Sequence, residues 1–187
     1  MTNRERLRDL FRERALQFGD FTLASGQKSA YYVNSKKVLF HAEALSLLGE
    51  LLFDATTDLD LQAIGGLEVG AIPMAAAALM TYYRQGRHLE GFFVRKEVKS
   101  HGGRERLEGH VNPGDRVAVI DDVLTTGGSV LQAIEVLEAR GASVVRVVCI
   151  CDRLQGAAEL LSQYDYRPLY TIRDFGIEPF DAPHSSL

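Results

Sequence analysis

Val117-Ala-Val-Ile-Asp-Asp-Val-Leu-Thr-Thr-Gly-Gly-Ser129 is the stretch from which the rest of the chain can be read. Val117 to Ile120 predict a buried strand. Asp121 and Asp122 stand at its carboxyl end, and Thr125-Thr126-Gly127-Gly128-Ser129 leads straight into a helical pattern. A glycine-rich turn at a helix N-terminus presents free N–H groups and a positive dipole end, which together seat a phosphate. The glycines let the backbone approach closely, and the hydroxyls add donors. Carboxylates repel a phosphate, so the acidic pair needs another reason. It makes sense if the acids accept hydrogen bonds from a diol attached to that phosphate, as the two hydroxyls of a ribose are. The segment therefore reads as a ribose-5-phosphate cradle. Ordinary turns also use Asp and Gly, but they do not call for two adjacent acids before such a loop. No Gly-Lys dipeptide occurs, which excludes a P-loop, and no G-x-G-x-x-G occurs either.

Outward from this stretch, strands and helices alternate. Upstream, Leu61–Gly66 is a short apolar strand, Ala71–Arg84 a helix with Pro73 in its first turn, and Gly91–Arg95 a strand. Glu97–Pro113 is polar and glycine-containing and reads as a long loop before the strand Arg116–Val123. Downstream come the helix Gly128–Ala139, the strand Ser143–Cys151, a short helix Gly156–Gln163 and a last strand Leu169–Ile172. This alternation predicts an α/β fold with a mostly parallel central sheet flanked by helices. The first forty residues do not fit it. Asn3–Phe18 reads as an amphipathic helix, Phe21–Ser25 and Ala30–Leu39 as strands around a Ser25-Gly26 turn, and His41–Phe53 as a second helix. The N-terminal part is expected to form a small hood subdomain over the carboxyl ends of the strands, where a ligand sits in such sheets. The expected organisation is one domain over 1–187, with a helix and hood segment to about 40, a core to about 155 and a C-terminal segment after it.

Composition narrows the function. The chain has 187 residues, 46% hydrophobic and 25% charged, with a net charge of −4. That is the profile of an ordinary globular domain, and the acidic balance argues against a general nucleic-acid binder. The longest apolar run, Ala71–Met80, is ten residues broken by Pro73, where a membrane span needs about twenty. The charged N-terminus has no apolar core for a signal peptide, and no Asn-x-Ser/Thr site occurs. Cys149 and Cys151 are two apart in an apolar strand, where they share a face, cannot easily bridge each other, and read as small buried hydrophobes. A cytoplasmic protein without membrane contact is expected.

Residues 95–106 carry five Lys/Arg against two Glu, leaving −7 for the rest of a chain whose net charge is −4. A local cationic spot on an acidic protein suits a compact polyanion, such as pyrophosphate, better than RNA. Gly102, Gly103 and Gly109 suit a lid. A solvated surface loop is the plain alternative for such a charge run.

The 117–129 segment resembles the motif with which type I phosphoribosyltransferases bind 5-phosphoribosyl 1-diphosphate (PRPP). Arg95-Lys96-Glu97-x-Lys99-x-His101-Gly102 resembles the catalytic loop of the orotate phosphoribosyltransferases within that superfamily. The Phe21-Thr-Leu-Ala-Ser-Gly-Gln-Lys-Ser-Ala-Tyr-Tyr32 segment is similar to their orotate-contacting N-terminal segment. Cys151-Asp152-Arg153 matches the place where they hold the orotate carboxylate with an Arg. Four motifs in order cover most of the chain.

The resemblance implies transfer of the 5-phosphoribosyl group from PRPP to N1 of orotate, giving orotidine 5'-phosphate and pyrophosphate in pyrimidine biosynthesis. It implies Asp121 and Asp122 at the ribose hydroxyls, Thr125 through Ser129 (with Thr126, Gly127 and Gly128) at the 5-phosphate, and Val123 and Leu124 within the same PRPP-binding stretch. It implies Arg153, Thr125, Lys28 and the Tyr32-Val33 backbone at orotate. Lys96 would touch pyrophosphate from its own chain, while Arg95, Lys99 and His101 would reach a neighbouring subunit's site in a homodimer. Lys99 and His101 would stabilise the leaving group, and Mg²⁺ would be held mainly through PRPP rather than by a direct protein site. Two departures stand out. Ala24 replaces a Lys found in some members, with Lys28 the candidate to supply the charge, and Glu68-Val69 stands where some have Tyr-Lys. A phosphoribosyltransferase for another base is the first alternative, against which Arg153 argues. A PRPP-sensing regulator that binds nucleic acid is the second, but it would need a basic face or an added module.

Overall fold

The computed structural model describes residues 1–22, 28–97 and 105–179. Helix α1 (Asn3–Arg14) begins in a capping box: the Glu5 N–H donates to Thr2 Oγ1 and the Thr2 N–H to Glu5 Oε2, at 3.2 and 2.7 Å. It buries Leu7, Leu10 and Phe11 and stops four residues before the expected Phe18. Ala15 and Phe18 continue the helical spacing, but the chain turns into strand β1 (Leu16–Thr22), which pairs antiparallel with β2 (Lys28–Val33). Pairing overrides local periodicity here, and Phe18 lies 65% exposed. The Ser25-Gly26 turn lies outside the described residues. The second strand ends at Val33, short of the expected Leu39. Lys36–Leu39 is instead a short helix, α2, whose adjacent Val38 and Leu39 are both buried, a pattern no half-buried strand could give.

The alternating part follows expectation closely. After helix α3 (Ala42–Thr56) come strand β3 (Ala63–Leu67), helix α4 (Ala71–Arg84) and strand β4 (Glu90–Val94). Within the expected loop, strand β5 (Leu107–Gly109) folds back antiparallel onto β4. It is three residues long, too short to show a period. Strand β6 (Arg116–Leu124), helix α5 (Gly128–Ala139), strand β7 (Ser143–Asp152), the short helix α6 (Ala157–Leu160) and strand β8 (Tyr166–Thr171) complete the sheet, and a 3₁₀ turn spans Ile172–Phe175. The last strand lies earlier than the expected Leu169–Ile172.

The large sheet runs β5-β4-β3-β6-β7-β8, parallel except for β5. Both its faces are buried. Ala118, Ile120, Val148 and Ile150 pack into a cluster with Leu7, Leu48, Leu52 and Met74. Val117, Val119, Val147 and Cys149 pack into a second with Val130, Ile134 and Leu137. Cys149 and Cys151 are free and buried as expected, but Cys151 belongs to the first cluster, so the two do not share a packing environment. Among the described residues no helix is long and apolar enough to cross a membrane.

At the opposite end of the strands, Arg146 is 2% exposed. Its guanidinium donates to Asp58 at 2.5 and 3.0 Å, to Asp165 at 2.8 Å and to the Ala55 carbonyl at 2.6 Å. One cation thus ties β7 to the end of α3 and to the turn before β8. The Arg146 hydrogen bonds hold the Asp58 carboxyl below its ordinary value. Asp165 is lowered too, by Arg167 first and Arg146 after it. Arg146→Met is expected to destabilise the protein by about 2–4 kcal/mol in urea unfolding. Lowered folded-state values mean the contribution is present above pH ~4 and lost as pH falls through them. The stability gap between wild type and variant is therefore expected to shrink as the urea midpoints are followed into acid.

Candidate functional site

Strand β6 carries the acidic pair in its last turn of pleat, with Asp121 and Asp122 each 7% exposed. Asp121 accepts from Ser129 Oγ at 2.8 Å and from the Asp122 N–H at 2.9 Å. Asp122 accepts from Lys36 Nζ at 2.9 Å, from the Val123 N–H at 2.9 Å and from Ser35 Oγ. The two acids therefore differ sharply in proton affinity. Burial, then the neighbouring Asp122 charge, raises Asp121 to about 7. Burial pushes Asp122 up as well, but the donors Ser35 and Lys36 outweigh it and hold that carboxyl below its ordinary value.

The pair lines a cavity of about 220 Å³ with Val123 and Ser129, the Glu68–Gly70 turn before α4, Lys96 and Lys36. That turn contains a cis peptide between Glu68 and Val69. The Glu68 carboxylate accepts from the Lys96 N–H at 3.0 Å. Gly70 leaves room for the acids: a Cβ there would sit 2.6 Å from Asp122 Cγ. Beyond β6, Gly127 takes φ +86°, a left-handed conformation that favours glycine, and turns the chain into α5. No side chain caps the α5 N-terminus, so the dipole end and backbone donors point out of the turn formed by Thr125 to Gly128.

At the end of β7, Arg153 is 7% exposed. Its backbone N–H donates to the Leu124 carbonyl at 2.9 Å, its Nε to Tyr31 Oη at 3.2 Å, and its guanidinium lies 4.8 Å from the Tyr31 ring centre. Asp152 shapes the turn below it, accepting from the Leu154 N–H at 2.7 Å and from Tyr166 Oη at 2.9 Å. Leu154 adopts φ +57°, rare for a non-glycine residue.

The structure thus brings Asp121, Asp122, Val123, Ser129 and Lys96 around one cavity. Leu124 is buried behind them. Arg95 points elsewhere, bonding Glu108 at 3.0 Å with its guanidinium 5.5 Å from the Phe93 ring centre. Tyr32 is 43% exposed and packs its ring toward Phe21, while Val33 is half-buried against the core. Lys28 donates to Thr22 Oγ1 at 3.0 Å and lines a different cavity with Asp20 and Phe21. Lys99, His101 and Ala24 lie outside the described residues. Sequence reading missed Ser35, Lys36, Gly70 and Tyr31. A helix in place of the expected Ala30–Leu39 strand is what carries Ser35 and Lys36 to Asp122. The one sequence signal was the Ser-Lys-Lys triplet, which no alternating strand explains.

An acidic pair beside an uncapped helix start, on the central strand of such a sheet, is an arrangement that can receive a sugar diol and a phosphate. Residues 58–180 match the family model described as the phosphoribosyl transferase domain. The chain is 40% identical over 178 residues to an orotate phosphoribosyltransferase of Rhodopirellula baltica, covering 91% of this chain and 92% of that one. It is 42% identical over 170 residues to that of Streptomyces avermitilis, covering 89% and 93%. Among solved structures, the Mycobacterium tuberculosis orotate phosphoribosyltransferase in complex with PRPP superposes with a TM-score of 0.80 at 34% identity, covering 94% of this chain and all of that one. This chain belongs to the orotate phosphoribosyltransferase family.

The raised Asp121 carboxyl carries a stability cost. The folded state holds a proton there that the unfolded state releases above pH ~4, so stability falls as pH rises from about 4 toward 7. Asp121→Asn keeps an oxygen for the Asp122 N–H, turns its amide N–H toward Ser129 Oγ, and removes the charge repulsion with Asp122. It is expected to raise the melting temperature at pH 8 by about 2–4 °C, with the gain vanishing near pH 4. A melting temperature unchanged or lower at pH 8 would contradict the assignment.

Proposed function

We propose that this chain moves the 5-phosphoribosyl group from PRPP to N1 of orotate. The supporting observation is the pairing of a buried acid pair beside the α5 start with a buried guanidinium at the end of the next strand. Asp121 and Asp122 receive the ribose hydroxyls, Ser129 and the turn from Thr125 to Gly128 hold the 5-phosphate, and Arg153 pairs with the orotate carboxylate in a planar fork. Thr125 and the Tyr32-Val33 backbone complete the orotate side, and Lys96 meets the diphosphate. The bond from C1 to the diphosphate oxygen breaks as that from C1 to N1 forms. The C1–O bond lengthens ahead of C1–N1 bond formation, so the ribose gains oxocarbenium character, and the N1 proton is taken up by the departing diphosphate. The protein stabilises the departing charge and keeps water from C1. Lys99 and His101 close on the diphosphate from the partner subunit of a homodimer.

Among the described residues no cluster of three or more His, Cys, Asp or Glu side chains is placed to hold a metal. Mg²⁺ would be held mainly through PRPP, where it would neutralise diphosphate charge, with Asp121 and Asp122 the nearby hard oxygen donors at the ribose. We place the enzyme in the cytoplasm, as one catalytic unit whose first forty residues form the hood.

The reading is tested by loss of orotate absorbance on mixing orotate, PRPP, Mg²⁺ and protein; a purine consumed in place of orotate would overturn it. Arg153→Ala is expected to raise the KM for orotate roughly 10- to 150-fold while barely moving that for PRPP. Lys99→Ala should lower kcat roughly 10²–10³-fold with little effect on binding. For shared sites, Lys99→Ala chains mixed with Asp121→Asn/Asp122→Asn chains should regain activity, because one site of the hybrid has both an intact cradle and an intact lid. A mixture that stays dead despite verified subunit exchange rules out action in trans.

A further inference from the structure

The cavity at the acidic pair has a charge problem. Its described walls carry three carboxylates, Glu68, Asp121 and Asp122. A diphosphate is itself multiply negative and cannot sit beside them without cations. The described cations lining the cavity are Lys96 and Lys36. Lys28, the sequence's candidate for a replacement charge, bonds Thr22 beside another cavity. The turn before α4 is Glu68-Val69-Gly70, which adds a negative charge to the cavity wall and no cation.

Lys36 sits on the short helix α2, whose position is fixed by the buried Val38 and Leu39. Its ammonium is 2.9 Å from Asp122 Oδ2 and its side chain is 53% exposed. An ammonium has three N–H donors, and the Asp122 contact uses one. We propose that Lys36 is a diphosphate-binding residue of this site, its ammonium bridging Asp122 and the phosphates of PRPP and supplying the cation that the Glu68-Val69 turn lacks. The inference rests on the PRPP reading above. It gives Lys36 two linked tasks. It keeps Asp122 ionised to receive a ribose hydroxyl, and it meets the leaving group on the side where Glu68 would otherwise repel it. A flexible lysine stem suits this better than a rigid fork, since the ammonium is a compact charge that serves two oxygens at once.

The decisive ligand is inorganic pyrophosphate with Mg²⁺, titrated calorimetrically, because it lacks the ribose that Asp122 would bind. Lys36→Gln is expected to weaken pyrophosphate about 10- to 100-fold and to raise the KM for PRPP similarly. The KM for orotate should stay near wild type, while the melting temperature should fall, because the buried Asp122 carboxylate loses its ammonium partner. Lys36→Arg should restore most of the affinity. If Lys36→Gln raises the KM for PRPP but binds pyrophosphate like wild type, the residue acts only by positioning Asp122, and the proposal fails. Unchanged values for both ligands would also overturn it. Wild-type protein that binds no pyrophosphate and consumes no PRPP would remove the underlying reading itself, a failure distinguishable from that of Lys36 alone.

Discussion

Two carboxylates on adjacent residues, both buried at the end of the central strand, are the constraint around which this molecule is arranged. Taking one charge out of water costs several kcal/mol, and a second like charge beside it costs more. The fold meets the cost unequally. Asp122 receives an ammonium and a hydroxyl from the hood side, so it stays ionised. Asp121 receives one hydroxyl, from Ser129 on α5, and is left close to protonation at neutral pH. The donors come from the start of α2 and from α5, so α2, β6 and α5 can be correct only together. Gly70 belongs to the same constraint, because the α4 start can lie against Asp122 only without a side chain. Proteins that keep such a pair give up stability for a site ready to accept donors from a ligand.

The hood meets the sheet through polar contacts at several points, among them Arg4 with Leu169 and Tyr170 of β8, and two of these points lie in the site. Tyr31 of β2 covers the Arg153 guanidinium, and Ser35 with Lys36 reaches Asp122. The apolar residues of α1 and α2 anchor this end of the chain in the first core cluster, so the polar contacts are presented from a rigid base. That explains why forty residues outside the alternating pattern are needed. The sheet alone would carry an acidic pair without counter-charges and an arginine without a wall.

What could be read in advance follows from the range of the forces involved. Helices α4 and α5 were read to the residue, because a long apolar stripe and flanking glycines are local signals. The acidic pair and its loop were legible for the same reason. The α1 end was misread because Ala15 and Phe18 continue the helical period, while the reason to stop, pairing of Leu16 with Val33, lies seventeen residues away. Ser35 and Lys36 were invisible as site residues because their partner Asp122 is more than eighty residues on. Three-residue β5 was lost because nothing that short has a period. Sequence pattern records what a residue needs from its neighbours along the chain, and charge compensation in a site is settled across it.

Burial of Arg153 bears directly on the choice of acceptor. The guanidinium is 7% exposed and held by Tyr31, whose hydroxyl takes one of its five donors. In the proposed reading, a base bearing a carboxylate there would accept two of the remaining donors in a fork and neutralise the charge. A base of the same shape without the carboxylate leaves a desolvated cation with unpaired donors. On the proposed function, discrimination would come from the cost of the wrong acceptor as much as from attraction to the right one. Sites that bury a polar group to meet a substrate reject the analogue lacking its partner far more strongly than apolar pockets reject a missing methylene. Asp152, Tyr166 and the left-handed Leu154 serve the same end. They set the turn from which Arg153 projects, and so the direction in which its guanidinium faces.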